Sequence, residues 1–266
     1  MNTAFLREVS CFLFDMDGTL YLGERVLRGA REMLDLLAGK HVPFFLLTNN
    51  SSRSKQDYLL KLENLGLPVN ASQVLTSGDA TVHYLESKHH DCSVYLVGTP
   101  SLEREFQAHG VRLSEQSPDV VVLGFDTTVT YHKLETLCHH VQRGLPFIAT
   151  HPDINCPTEQ GFIPDIGAML ALVEASTGRR PDIIIGKPHP PMVEAVCART
   201  GLRPSDMVMV GDRLYTDIAM GATGVHTVLV LSGETHKEDI ASSPWQPDLV
   251  VQSVKELAEL VLSQIK

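Results

Sequence analysis

Phe12-Leu13-Phe14-Asp15-Met16-Asp17-Gly18-Thr19-Leu20 is a short apolar run that ends in two acids, a glycine and a threonine. A continuously apolar run reads as a strand of a parallel sheet covered on both faces. Gly18 permits a backbone turn that a residue with a Cβ would resist. Ligands of open α/β sheets bind beyond the carboxyl ends of the strands, which is where Asp15 and Asp17 fall. At a period of two they share one side, and Met16 points away. Adjacent carboxylates repel unless a divalent cation or a proton compensates. Asp-x-Asp-Gly also occurs in calcium loops and plain turns. An EF-hand loop would need a Glu at its twelfth position; counted from Asp15, that position is Val26.

Outward from this strand the pattern alternates. Residues 28–38 carry Met33, Leu34, Leu36 and Leu37 and read as a helix, with Gly39 as its stop. Residues 42–47 form a second buried strand, ending in Thr48-Asn49-Asn50-Ser51-Ser52. A helix with Tyr58, Leu59, Leu62 and Leu65 on one face follows, with Gly66 after it. Strand, helix, strand, helix predicts an α/β fold, a doubly wound, Rossmann-like parallel-sheet core. From about Thr81 a block with its own alternation begins. Residues 94–97, 120–123 and 147–149 read as strands, and 102–108, 131–143 and 166–177 as helices. This is the pattern of an inserted α/β domain, and Pro181-Asp182 marks the way back. Residues 183–186 read as a strand leading into Lys187-Pro188. Residues 207–210 form another, leading into Gly211-Asp212-Arg213, with Asp217 near the start of a helix. The last strands are expected at 225–231 and 248–251, and the last helix at 254–263. The expected organisation is a core made of 1–80 and 183–266, with 81–182 inserted.

The 266 residues suffice for a sizeable core and one or two domains. Twenty-two basic against 32 acidic residues give a net charge of −10, which argues against a nucleic-acid partner. A small anionic substrate remains compatible, because a metal and one or two lysines reverse the local field. Cys11, Cys92, Cys138, Cys156 and Cys197 are scattered with no C-x-x-C pair, as expected of a reduced cytoplasmic protein. Arg7 and Glu8 interrupt any signal-peptide pattern, and no apolar run approaches the ~20 residues of a membrane span.

Four strand ends thus carry polar groups suited to acting together. Asp15 and Asp17 lie on the first, Thr48 and Asn49 on the second, Lys187 on the third, and Asp212 with Asp217 on the fourth. Each alone has an ordinary explanation as a cap, turn or surface residue; the ordered set is specific. Asp15-Met16-Asp17-Gly18-Thr19, Thr48-Asn49-Asn50, Gly186-Lys187-Pro188 and Gly211-Asp212-Arg213 with Asp217 resemble the motifs of the haloacid dehalogenase superfamily. Leu123-Gly124-Phe125-Asp126 and Thr150-His151-Pro152-Asp153 extend the resemblance to its subfamily IIA, the NagD-type, 4-nitrophenyl phosphatase-like hydrolases. Their cap domain, of the C2 type, is inserted between the second and third motifs, where 81–182 lies.

The resemblance implies a Mg²⁺-dependent phosphatase of a small phosphorylated metabolite, such as a sugar phosphate or nucleoside monophosphate. It makes Asp15 the nucleophile that forms an aspartyl-phosphate, and Asp17 the acid, then base, of the two half-reactions. Members that preserve the phosphoaspartate carry Thr at the second acid, so Asp17 implies turnover. The hard oxygen donors suit Mg²⁺, with Asp15, the carbonyl of Asp17 and Asp212 as expected ligands and Asp217 behind them orienting Lys187 or a metal-bound water. Thr48, Asn49 and Asn50 are expected to donate to phosphate; for Asn50 a helix cap is an equal alternative. Lys187 is expected to stabilise nucleophile and phosphoryl charge. His151 and Asp153, on a loop after a strand, are candidates for touching the leaving group, against a polar loop that only stabilises itself. His89-His90 and His139-His140 diverge on their helices and are expected to be solvated. A cap-mediated homodimer is a further implication of the resemblance, and no membrane partner is expected. A phosphoryl transferase or mutase, a metabolite-binding scaffold and a dehalogenase are the competing readings. Intact Asp15, Asp17, Thr48, Lys187 and Asp212 weigh against a scaffold, and a halide would not need the second acid.

Overall fold

The computed structural model describes residues 3–67, 69–158 and 160–264. In chain order these form β1 (Cys11–Asp15), a ribbon of β2 (Tyr21–Leu22) and β3 (Arg25–Val26), α1 (Ala30–Gly39), β4 (Phe44–Thr48), α2 (Lys55–Asn64) and β5 (Val74–Thr76). There follow α3 (Ser77–Lys88), β6 (Ser93–Val97), α4 (Pro100–Ala108), β7 (Arg112–Leu113), β8 (Val120–Leu123), α5 (Tyr131–Gln142) and β9 (Phe147–Ala149). A hairpin of β10 (Asn155–Thr158) and β11 (Gly161–Pro164) leads to α6 (Ile166–Thr177) and β12 (Ile183–Ile184). The chain ends with α7 (Pro190–Thr200), β13 (Met207–Gly211), β14 (His226–Val230), β15 (Leu249–Val251) and α8 (Val254–Gln264). None of the helices among the described residues is long and apolar enough to cross a membrane.

The chain divides into two compact units. The first comprises 1–48, 56–75 and 187–266. Its sheet has the order β15-β14-β13-β1-β4-β5. β1 runs parallel to β13 on one side and β4 on the other, with Phe14 opposite Val210 and Leu46. The chain leaves β1 toward β4 and later returns on the opposite flank, so the carboxyl end of β1 is a switch point of the winding, where such sheets bind ligands. Phe12 and Phe14 are wholly buried on one face with Leu34, Leu37, Leu46, Val208 and Leu257, and Leu13 is wholly buried on the other, the double-sided burial that an unbroken apolar run requires.

The second unit comprises 49–55 and 76–186. Its sheet has the order β12-β9-β8-β6-β7, with its paired strands parallel. Its helices start at side-chain caps: Thr76 accepts from Asp79 N, Thr99 from Leu102 N, Thr130 from Lys133 N and Asp165 from Ile166 N. Gly178 closes α6 in the left-handed conformation. The boundaries differ from those expected from the sequence. Residues 183–186, expected to begin the return to the core, extend the second sheet: Ile183 and Ile184 pair with Ile148 and Ala149, and Gly186 N donates to Thr150 O. An apolar strand looks the same in either sheet, so composition could not assign it. The hairpin of β10 and β11 has the sequence character of a loop, because its two strands are exposed and lack an apolar alternation. His140, expected in solvent, is buried, with Nε2 2.8 Å from the Glu115 carbonyl and its ring on Tyr95.

Candidate active site

β1 delivers Asp15 as its last residue, and Met16 turns into the core. Lys187 Nζ donates to Asp15 Oδ1 at 2.5 Å and to Asp217 Oδ1 at 2.8 Å. Lys187 and Asp217 are fully buried, and Asp217 Oδ2 in turn accepts from the backbone N–H of Arg213 at 3.0 Å. Asp212, at the end of β13, accepts from Glu234 N at 2.6 Å through Oδ2. Its Oδ1 is buried and has no hydrogen-bond partner among the described residues. Oxygens of Asp15, Asp212 and Asp217 all lie within 4.8 Å of one another. Asp15, Lys187, Asp212 and Asp217, from three separate parts of the sequence, therefore converge.

One buried ammonium bridges Asp15 and Asp217, and Asp212 crowds against them. Burial pushes the Asp15 carboxyl up to about 6 against the pull of Lys187. Burial, then repulsion from Asp15 and Asp217, pushes Asp212 up to about 8. Burial alone would lower Lys187, but Asp15 and Asp217 overcome it and hold the ammonium above its ordinary value. A bare carboxylate oxygen among hard oxygen donors fits a divalent cation, with Asp15 and Asp212 to hold it. The sign of the linkage follows. Both carboxyls sit above the unfolded value of 3.8, so each favours the fold when protonated and loses that contribution as pH rises from about 4 through about 6 and about 8. Metal-free protein is expected to lose thermal stability across pH 5–8, and added Mg²⁺ to raise Tm more at pH 8 than at pH 5. A Tm increment independent of pH would remove these carboxylates from the metal site.

The chain that returns after β14 completes this cradle. Gly18 has φ +87° and Gly233 lies opposite it; a Cβ on either would run into the Asp212 carboxylate. Ser232 Oγ donates to Gly18 O at 2.9 Å. Arg213 Nε lies 3.0 Å from Glu234 Oε2. Burial works against the Arg213 guanidinium, while Tyr215, Asp15, Glu234 and Asp212 hold it firmly charged. The segment Ser232-Gly233-Glu234 carries no sequence signal beyond a glycine after a strand, so its part in the site emerges only from the structure.

Asp17 lies beyond the end of β1 and its side chain is 57% exposed. It faces Lys61 of α2. Thr48 is the buried last residue of β4, one position past the pairing of Asp15 with Leu47.

Asn49, Asn50, His151 and Asp153 belong to the second unit. Asn49 Nδ2 donates to Asp153 Oδ1 at 3.0 Å, and its carbonyl accepts from Ser77 Oγ. Asn50 Oδ1 accepts from Ser52 N at 2.9 Å, a side-chain turn in place of a helix cap. His151 is wholly buried, with Nδ1 3.8 Å from Asp153 Oδ2 and Nε2 3.5 Å from Asp165 Oδ1. Asp165 Oδ1 also accepts from Ile166 N at 2.6 Å at the start of α6. Both side chains are buried, Asp153 bonded to Asn49 and His151 beside Asp153 and Asp165.

Comparison with known proteins agrees with this geometry. Residues 12–112 match the model of the haloacid dehalogenase-like hydrolases, and residues 184–257 match a HAD-hydrolase-like model. A solved 4-nitrophenylphosphatase from Thermotoga maritima is 44% identical and superposes with a TM-score of 0.94 over 97% of this chain and 99% of its own. An acid sugar phosphatase of Staphylococcus epidermidis is 35% identical over 91% of this chain and 94% of its own. The 5'-nucleotidase YutF of Bacillus subtilis is 33% identical over 92% of this chain and 96% of its own. The chain belongs to the haloacid dehalogenase-like hydrolase family. Within it the chain sits on the NagD-type, 4-nitrophenylphosphatase-like branch and is a phosphoric monoester hydrolase.

Proposed function

We propose that this protein is a Mg²⁺-dependent phosphatase that hydrolyses a small phosphorylated metabolite, a sugar phosphate or a nucleoside monophosphate, through an aspartyl-phosphate on Asp15. The observation that carries this reading is the buried Lys187 ammonium spanning Asp15 and Asp217 beside the unbonded oxygen of Asp212. Asp15 attacks phosphorus, and the bond from phosphorus to the leaving oxygen breaks. Asp17 gives its proton to that oxygen, then takes one from the water that cleaves the aspartyl-phosphate, which releases phosphate and restores both acids. Lys187 holds the Asp15 carboxylate in one orientation and places fixed positive charge where the phosphoryl group arrives. Thr48 donates to a phosphoryl oxygen from the neighbouring strand. Mg²⁺, held by Asp15, Asp212 and the carbonyl of Asp17, would supply charge neutralisation for the phosphoryl oxygens.

Phosphate release from a panel of sugar phosphates, nucleoside monophosphates and 4-nitrophenyl phosphate tests the reading. The expected result is Mg²⁺-dependent release that a chelator stops, with one chemical class preferred. Release that ignores the chelator would exclude the metal. No release from any compound would favour transfer to an acceptor other than water.

The inserted unit, on this reading, selects the substrate. It also offers a self-association face. α6 is apolar nearly all round, yet Leu172 is exposed, and the hairpin beside it exposes Phe162, Ile163 and the adjoining Ile154. A homodimer through this face should elute at twice 29.3 kDa and dissociate in Phe162→Glu with Leu172→Glu; a monomeric wild-type protein would exclude it. None of the five cysteines forms a disulfide, which supports a reducing, cytoplasmic setting.

A further inference from the structure

Lys61 lies outside every motif that marked the site. It sits in the last turn of α2, among Tyr58 and Leu62, whose side chains fill the core. Only 14% of its own side chain is exposed. Its ammonium lies 4.1 Å from the centroid of the Tyr21 ring and 3.8 Å from Asp17 Oδ2. Among the described residues Asp17 is the carboxylate that this cation faces.

Such burial is unusual for a lysine. The stem can rest on apolar surface while the charge reaches water, but here the charge rests on a ring. A cation over an aromatic face is attracted by the ring's quadrupole, more strongly as water is excluded. The ring itself is fixed by backbone. Gly18 N donates to Tyr21 O at 2.8 Å, and Tyr21 N donates to Met16 O at 3.2 Å. The tight turn that follows Asp17 therefore carries Tyr21 back beneath it, and Tyr21 seats the ammonium. Asp17 itself lies past the end of β1 with its carboxylate more than half exposed, and the seated cation stands beside it.

We infer that Lys61 is a positioning residue for Asp17: seated on the Tyr21 ring, it fixes where the proton-transferring carboxylate stands. The inference deepens the proposed mechanism and rests on its assignment of Asp17 as general acid. A misplaced acid harms most the substrates whose leaving group needs a proton. It should matter little to one whose leaving group departs as a stable anion. General acid catalysis of this kind contributes about 10²–10⁴-fold.

The experiment compares kcat/KM for glycerol phosphate, with its alkoxide leaving group, and for 4-nitrophenyl phosphate. kcat/KM reports the steps up to formation of the aspartyl-phosphate and leaves out its hydrolysis. Lys61→Met, which keeps the stem, is expected to lower kcat/KM for glycerol phosphate at least about tenfold and to change that for 4-nitrophenyl phosphate less than about threefold. Lys61→Arg should recover most of the loss. In an Asp17→Asn background, Lys61→Met should have no further effect on either substrate, because the group it positions is gone. Equal losses for the two substrates would mark Lys61 as merely structural, and no loss for either would leave it without a role; both overturn the inference. If Asp17→Asn itself leaves the ratio of the two substrates unchanged, the general-acid assignment falls and the Lys61 inference with it. If Asp17→Asn shifts the ratio and Lys61→Met does not, only the inference about Lys61 falls.

Discussion

Asp15→Asn is expected to abolish phosphate release while the protein stays folded and still binds substrate. The amide keeps the size of the carboxylate and an oxygen for Lys187 to bond, now made at 2.5 Å to Oδ1. It lacks the charge and nucleophilicity that attack on phosphorus requires. Removing a group that forms the covalent intermediate costs about four orders of magnitude or more in kcat, since no neighbouring group takes over its bond. Stability should hold or rise. Burial already pushes the Asp15 carboxyl up to about 6, so ionised Asp15 costs the fold something at neutral pH, and the neutral amide removes that cost. The combination is diagnostic: no turnover, unchanged or higher Tm, and calorimetric substrate binding within about tenfold of wild type. Wild-type turnover in this variant would take Asp15 out of the nucleophile role. A variant that lost binding and folding together would mean that the carboxylate is a structural group.

The parts of this site that the sequence revealed are those that end strands. Asp15, Thr48 and Asp212 each follow a run of buried apolar residues, and an unbroken run with a polar group at its end is a local signal. The order of the runs then predicted which ends converge. What depends on distant partners was not legible. Lys187 alone reads as a surface lysine before a proline; its strand end and the family resemblance put it in the expected set, while its bonds to Asp15 and Asp217 appear only in the fold. Lys61 reads as one more charged residue on a helix until the Tyr21 ring appears beneath it. Ser232-Gly233-Glu234 shapes the wall around Asp212 through a backbone N–H and the absence of a side chain, and neither leaves a mark on composition. For His151 and Asp153 the sequence shows only polar residues on a loop; that both are buried, and that Asp153 accepts from Asn49, depends on tertiary packing. Residues 183–186 mislead for a further reason: an apolar strand of this kind fits either sheet, and its register with Phe147–Ala149 is set by tertiary pairing.

Lys187→Met should remove catalysis and also change how the protein's stability responds to pH. In the wild type the ammonium is the buried counter-charge of both Asp15 and Asp217. Deleting one partner of a buried ion pair leaves the other desolvated and unpaired, which costs about 3–5 kcal/mol. That cost requires an ionised carboxylate, so it depends on pH. Asp15 stands at about 6 in the fold with Lys187 pulling it down, against 3.8 in the unfolded chain. Without Lys187 its folded value moves higher still. A carboxyl displaced upward in the fold costs nothing below the unfolded value, and its cost grows with pH until the folded value is passed. The gap in unfolding free energy between wild type and Lys187→Met is therefore expected to be widest at pH 7 and above and to narrow as pH falls toward 4. Urea unfolding at a series of pH values in the presence of a chelator measures it. A gap that stays constant with pH would mean that Lys187 contributes packing and not charge. A gap that narrows while kcat/KM stays near wild type would make the ammonium a purely structural counter-ion and leave the phosphoryl group to be stabilised by Arg213, the other firmly charged cation beside Asp15.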